Sequence, residues 1–143
     1  MVSSEVQITN LLYRYGEFVD QGDYESAAEL FVHAQIKTPM GMINSDALLE
    51  QWNNGILLHD GSPRTKHVIT NPILEVDEEA GKATCRSTCT VFQQVGDFPL
   101  QPILCGRYDD KFERVDGKWR FYYRDYTLED LSGDKSRHAP AWP

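Results

Sequence analysis

The sequence predicts an α+β domain, with helices first and a run of antiparallel strands after. Two observations carry this. Apolar residues at helical spacing dominate the first 55 residues, and four long stretches rich in β-branched and aromatic residues follow, separated by turn-forming clusters. Three helices packed on a strongly curved, mostly antiparallel sheet form a half-open cone, and the inside of such a cone is an apolar pocket. The 143 residues suit one domain with a proper core. That domain is expected over residues 1–131. Residues 132–143 are polar, Pro-containing and aperiodic, and read as a C-terminal tail or flap.

The helices come in order. Ser3 or Ser4 caps the first, whose stripe runs Ile8, Leu11, Leu12, Tyr15, Phe18 and Val19. Tyr15 sits in mid-stripe and should face inward. Asp20 lies one step past Val19, at the edge of the stripe, and Gly22 ends the helix. Asp23 caps a second, short helix with Tyr24, Ala27, Ala28, Leu30 and Phe31. A strand pair is expected around His33–Pro39 and Met42–Ile43, turning at Pro39-Met40-Gly41. Ser45 starts a third helix with Leu48, Leu49 and Trp52 inside, and Asn53-Asn54-Gly55 ends it.

The four long strands are expected at about 65–77, 82–95, 101–115 and 118–127. Asp77 to Gly81 and Asp116-Gly117 read as hairpin turns, and Gly96-Asp97-Phe98-Pro99 as a longer one. Pro72 cannot donate to a ladder, so an edge or a bulge is expected there. In the last strand, Trp119, Phe121 and Tyr123 are expected on one face, and Tyr122 on the other together with Tyr126. Two covered faces imply helices on one side and a second subunit on the other, hence a homo-oligomer, dimer or trimer.

Charge and cysteine content narrow the function classes. The net charge of -8 argues against nucleic-acid binding, which needs a basic footprint. Cys85, Cys89 and Cys105 are odd in number and lack CxxC spacing. Cys85 and Cys89 share a strand face roughly 13 Å apart and cannot bridge. Reduced thiols in a cytoplasmic setting are the simplest reading. No signal peptide and no membrane span is expected. No nucleophile elbow and no Gly-rich phosphate loop is present.

The stretch Arg64-Thr65-Lys66-His67-Val68-Ile69-Thr70-Asn71 opens the first long strand. Alternation puts His67, Ile69 and Asn71 on one face, so an imidazole sits beside aliphatic carbon. Histidine exchanges protons near neutrality. By itself this also fits a core or surface histidine. His33, His59 and His138 match no metal-ligand spacing and read as surface residues.

Three pieces carry a family resemblance: Arg14 to Asp23, with Tyr15 and Asp20; Arg64-Thr65-Lys66-His67 with Thr70-Asn71; and Gly106 to Phe112 running on to Phe121. In order and spacing they span about residues 5–127. On them the chain resembles the SnoaL-like branch of the NTF2-like superfamily, which contains scytalone dehydratase, bile-acid 7α-dehydratase and hexachlorocyclohexane dehydrochlorinase. The resemblance implies a cone-shaped NTF2-like fold and a catalytic Asp20–His67 pair, with no cofactor and no metal. The aspartate orients and charges the histidine, which removes a substrate proton. It also implies a catalytic Tyr15 and a pocket Arg124. Phe92 falls where scytalone dehydratase has a second pocket histidine, and Gly106 and Tyr108 fall where it has substrate-holding Ser and Asn.

The expected site therefore joins Asp20, His67, Tyr15 and Arg124 as catalytic groups. Trp52, Asn71, Phe92 and Tyr108 are the expected substrate-binding residues. The activity implied is a lyase or isomerase, of dehydratase or cyclase type, acting on an apolar polycyclic, terpenoid or polyketide-like small molecule. Two other readings share the fold: a non-catalytic ligand-binding or assembly module, and the small subunit of a ring-hydroxylating dioxygenase. Tyr15 also suits a core role, and Arg124 also suits a plain ion pair with Asp109, Asp110 or Asp125.

Overall fold

The computed structural model describes residues 1–142. Helix α1 spans Ser4–Asp20, α2 Tyr24–Glu29 and α3 Ser45–Gly55. Each begins at a capping side chain. Ser3 Oγ accepts from the Val6 amide, Asp23 from Ser26, and Asn44 from Ala47. Such caps satisfy amides that no helical carbonyl reaches. At the end of α1 the Asp23 amide bonds back to the Phe18 carbonyl while Gly22 takes a φ of 74°. That left-handed turn is cheap for glycine and reverses the chain at once into α2.

The strands are β1 Gln35–Thr38, β2 Gly41–Ile43, β3 Thr65–Asp77, β4 Lys82–Val95, β5 Phe98–Val115, β6 Lys118–Asp125 and the short β7 Leu131–Ser132. They form one sheet in the order β2-β1-β6-β5-β4-β3, and β7 pairs with β5. All pairs are antiparallel except β1 with β6. β5 begins three residues earlier than expected, because Phe98 is buried and pairs with Val95. β6 ends two residues earlier, where Asp125 turns the chain by accepting from both the amide and the hydroxyl of Thr127. The helices cover one face of the curved sheet, and Ile8, Leu12, Phe31, Ile36, Phe112 and Phe121 are fully buried between them. The three cysteines are free thiols. Among the described residues, no helix is long and apolar enough to cross a membrane.

Two irregularities redirect side chains. Pro72 lies in a bulge between Thr70 and Ile73 on β3, which is also an edge strand. In β6 the register shifts between Phe112 and Lys111, so two residues of β6 oppose one of β5. The bulge corrects the expected alternation. Trp119 and Phe121 point inward, but the next inward residue is Arg124, not Tyr123. Tyr122 and Tyr123 both lie on the outer side, half-buried under the ammonium groups of Lys82 and Lys111 respectively.

The C-terminal segment does not trail away. After β6 it crosses the inner face of β5 at Gly106, where a Cβ would collide with Glu129 Cα and the Leu128 carbonyl. Only a residue without a side chain lets the two backbones approach this closely. The chain then pairs as β7 and returns over the ends of α1, α3, β3 and β4. Gln93 Nε2 donates to the carbonyls of Pro63 and Arg137, and the Leu57 amide donates to the His138 carbonyl. Ala139 is wholly buried.

Candidate active site

Asp20 is the last residue of α1 and His67 the third of β3. What joins them is the close crossing of the two elements. Gly16 packs against the His67 carbonyl and the Ile69 side chain, and a Cβ there would stand 3.3 Å from both. Close approach of backbone to backbone is what glycine permits. One turn further along, the Asp20 carboxylate meets the start of β3. Oδ1 accepts from the Thr65 hydroxyl at 2.9 Å and from His67 Nδ1 at 2.6 Å, and Oδ2 accepts from the His67 amide at 2.8 Å. These three hydrogen bonds fix the carboxylate's rotamer. With the ring proton on Nδ1 facing Asp20, the neutral imidazole has its lone pair on Nε2. Both side chains are about nine-tenths buried.

Beside this pair lies a cluster of tyrosines. The Tyr15 ring meets His67 edge-on at 6.1 Å, and it also packs on Trp52 and Tyr108. The Tyr126 hydroxyl donates to that of Tyr15 at 2.9 Å, and the Tyr15 and Tyr108 hydroxyls are 3.4 Å apart. Burial pushes the pKa of all three phenols up, so they are protonated donors at neutral pH. Arg124 lies beneath them, wholly buried, its guanidinium 3.8 Å from the Tyr108 ring centroid and 4.4 Å from that of Tyr15. Its Nε and Nη2 form a two-pronged pair with Asp110 at 2.8 and 2.9 Å. Burial works against both charges. Asp110 is pushed up by burial despite Arg124, whereas Arg124 ends above its usual range because Asp110, Tyr126 and Tyr108 together outweigh burial, the largest single effect. The bidentate geometry decides for the charged pair.

The structure thus brings Asp20, His67, Tyr15, Trp52 and Tyr108 together. Arg124 reaches the group only from behind, through the tyrosines. Two expected binding residues are corrected. Phe92 faces the outer side of β4 with Lys66, its partner across the ladder, while Val91 and Gln93 face inward. Asn71 is exposed: at the β3 bulge it takes a φ of 53°, which breaks the alternation that would have kept it beside His67.

Three neighbours were not legible as site residues. Thr65, two residues before His67, shares its face by alternation, which was the available signal. Glu129 retains solvent contact, yet the protein around its carboxyl pushes the pKa up, with His67 pulling it down. His138 corrects its reading as a surface residue. It is 4% exposed, and its ring centroid lies 6.4 Å from that of His67. Nothing local in the tail announced this.

Burial pushes the His138 pKa down to about 4; His67, His59 and Lys135 act in the same direction and Asp20 against it. A folded-state value below the ordinary 6.5 contributes stability above that pH, and the contribution is lost as pH falls towards 4. At about 1.4 kcal/mol per pKa unit the full effect is on the order of 3 kcal/mol. The expected result is a loss of hydrogen-exchange protection at the Leu57 amide, which bonds the His138 carbonyl, between pH 6.5 and 4. His138→Phe should flatten that dependence.

Residues 1–125 match the SnoaL-like domain family model. No curated protein sequence matches the chain. Among solved structures, a function-unknown protein of Mycobacterium tuberculosis, determined as an aspartate-to-asparagine variant, is 25% identical, with a TM-score of 0.71 over 88% of this chain and 72% of that one. A candidate scytalone dehydratase from Novosphingobium aromaticivorans is 22% identical, with a TM-score of 0.69 over 91% and 86%. The beta subunit of a candidate aromatic-ring-hydroxylating dioxygenase from the same bacterium is 16% identical, with a TM-score of 0.70 over 94% of each chain. The last two likenesses concern the fold, which is the NTF2-like, cystatin-like one.

Proposed function

The chain belongs to the SnoaL-like domain family, and from this premise we propose a cofactor-independent lyase or isomerase, of dehydratase or cyclase type, with His67 as general base and Asp20 as its partner. The carrying observation is the Asp20 carboxylate held by three donors, one of them His67 Nδ1. A base must present its lone pair to the substrate. The hydrogen bond at Nδ1 leaves Nε2 for that purpose, and the carboxylate stabilises the imidazolium that forms.

The substrate class is an apolar polycyclic, terpenoid or polyketide-like molecule with a proton next to a carbonyl. The aromatic wall of Tyr15, Trp52 and Tyr108 supports this choice. Tyr15, a neutral phenol edge-on to His67, donates to the hydroxyl that departs. Arg124 acts through the ring stack and the Tyr126 hydroxyl, which its Nη1 approaches at 3.5 Å. Loss of water, a double-bond shift or cyclisation follows proton abstraction.

The test uses β-tetralone, a bicyclic ketone with activated protons, in deuterium oxide. The protein should speed exchange at the carbon between ring and carbonyl well above buffer. No acceleration would remove the catalytic reading and leave a ligand-binding module. The same reading includes a homo-oligomer, dimer or trimer, built on the outer sheet face, where Val68 and Ile73 are exposed on the edge strand β3. Light scattering at micromolar concentration should return a multiple of 16.4 kDa, and a monomer would count against assembly.

A further inference from the structure

We infer that His138, carried by the C-terminal segment, is the group that hydrogen-bonds the ligand's oxygen opposite His67, donating an imidazole N–H to the carbonyl and to the enolate that forms from it. This rests on the reading of His67 as the base.

Four observations converge. First, His138 is almost wholly buried, yet its Nδ1 has no hydrogen-bond partner among the described residues. An orphaned buried ring nitrogen is destabilising, so a fold that holds one calls for a partner from outside the chain. Second, the two imidazoles are 6.4 Å apart, centre to centre, at an angle of 65°. The rings are in edge contact, so a carbonyl and its neighbouring C–H would lie alongside the pair rather than between the rings, the oxygen within about 3 Å of one nitrogen and the carbon at about 3–3.5 Å from the other.

Third, the tail is built to hold His138 there. The His138 carbonyl accepts from the Leu57 amide at 2.8 Å, and its amide donates to the Lys135 carbonyl at 3.0 Å. The preceding carbonyl, of Arg137, bonds both His59 Nε2 at 2.8 Å and Gln93 Nε2 at 3.0 Å. Fixed donors need no reorganisation when charge develops on the ligand. Fourth, a pKa of about 4 keeps the ring neutral at working pH. A neutral imidazole is a competent electrophile towards an enolate oxygen, and it does not compete with the His67 imidazolium for the Asp20 charge.

The step balances without a co-reactant. His67 Nε2 takes the proton, the C–H electron pair moves into the new carbon–carbon double bond, and the carbonyl π pair moves onto oxygen. That oxygen accepts from His138. Return of the proton, or its transfer to a departing hydroxyl, resets His67.

The experiment compares binding of β-tetralone with that of tetralin, its parent without oxygen, by calorimetry. A ketone oxygen only accepts, so any preference requires a donor. Wild-type protein should prefer the ketone roughly three- to tenfold, as one net hydrogen bond predicts. His138→Phe keeps bulk and apolar packing and should abolish the preference, with tetralin affinity unchanged; His138→Gln should restore most of it. In wild-type protein, ketone addition should also shift the His138 ring nitrogen signal in nitrogen-15 spectra, which keeps the test open should the Phe variant fail to fold. Equal affinity for the two probes, a preference that survives His138→Phe, or an unmoved nitrogen signal would each overturn the inference. Failure of the base reading looks different: exchange would be absent in wild-type protein while the ketone preference persisted and still depended on His138.

Discussion

His67→Ala should stay folded and lose roughly 10²–10⁴-fold of the β-tetralone exchange rate, the usual contribution of a positioned general base. The fold survives because the substitution leaves the other bonds of Asp20 in place. Its carboxylate still accepts from the Thr65 hydroxyl and from the backbone amide of residue 67. Asp20→Asn is the sharper companion. Of the three groups that meet this side chain only the His67 amide must donate, so the asparagine oxygen turns to it and the NH₂ meets the Thr65 hydroxyl and His67 Nδ1, which then accepts. The variant loses the negative charge behind the imidazole and holds the ring proton on Nε2, which removes the lone pair a base needs. It should lose rate to a similar degree. Stopped exchange with an unchanged far-ultraviolet circular dichroism spectrum checks both.

The largest stability effect is expected at Arg124. Arg124→Met leaves the Asp110 carboxyl buried without its partner, and breaking one side of a buried pair costs about 3–5 kcal/mol. A domain of this size has only about 5–15 kcal/mol in total. Urea unfolding should therefore show a much lower midpoint. Burial already pushes the Asp110 pKa up with Arg124 present. Without the guanidinium the carboxyl rises further. A raised folded-state value favours folding at low pH and loses that contribution as pH rises through it. Part of the lost stability should return on mild acidification, a sign opposite to ordinary acid denaturation. Replacing both partners, as Arg124→Met with Asp110→Leu, should recover a large part of the loss at neutral pH, because no charge is then left unpaired. The tyrosine stack over Arg124 should loosen in the single variant, and Tyr15 with it.

The parts of the molecule legible in the sequence are those set by local periodicity. The α1 stripe, the caps at Ser3 and Asp23 and the hairpin turns follow from neighbours within a few residues, and the helices and long strands sit close to their expected places. The Asp20–His67 juxtaposition was legible only through family spacing, since 47 positions separate the two residues. Strand alternation misled wherever a bulge intervened. The β3 bulge turned Asn71 out to solvent, and the β6 bulge exchanged Tyr123 for Arg124 on the inner face. Phe92 faces out for a plainer reason. On β4 it alternates with Val91, which pairs with His67, so Phe92 and His67 stand on opposite faces. His138 was illegible because its burial depends on long-range bonds from Leu57, His59 and Gln93 to an aperiodic tail.

The double-mutant cycle of Asp20→Asn and His67→Ala, read in β-tetralone exchange, tests the central claim most directly. If the pair works as one base, the aspartate has nothing to act on once the imidazole is gone. The double variant should then be no slower than the slower single variant, because groups acting as a unit are not additive. Losses that multiply fully would contradict the account, since they would mean that Asp20 and His67 contribute independently of the hydrogen bond that joins them.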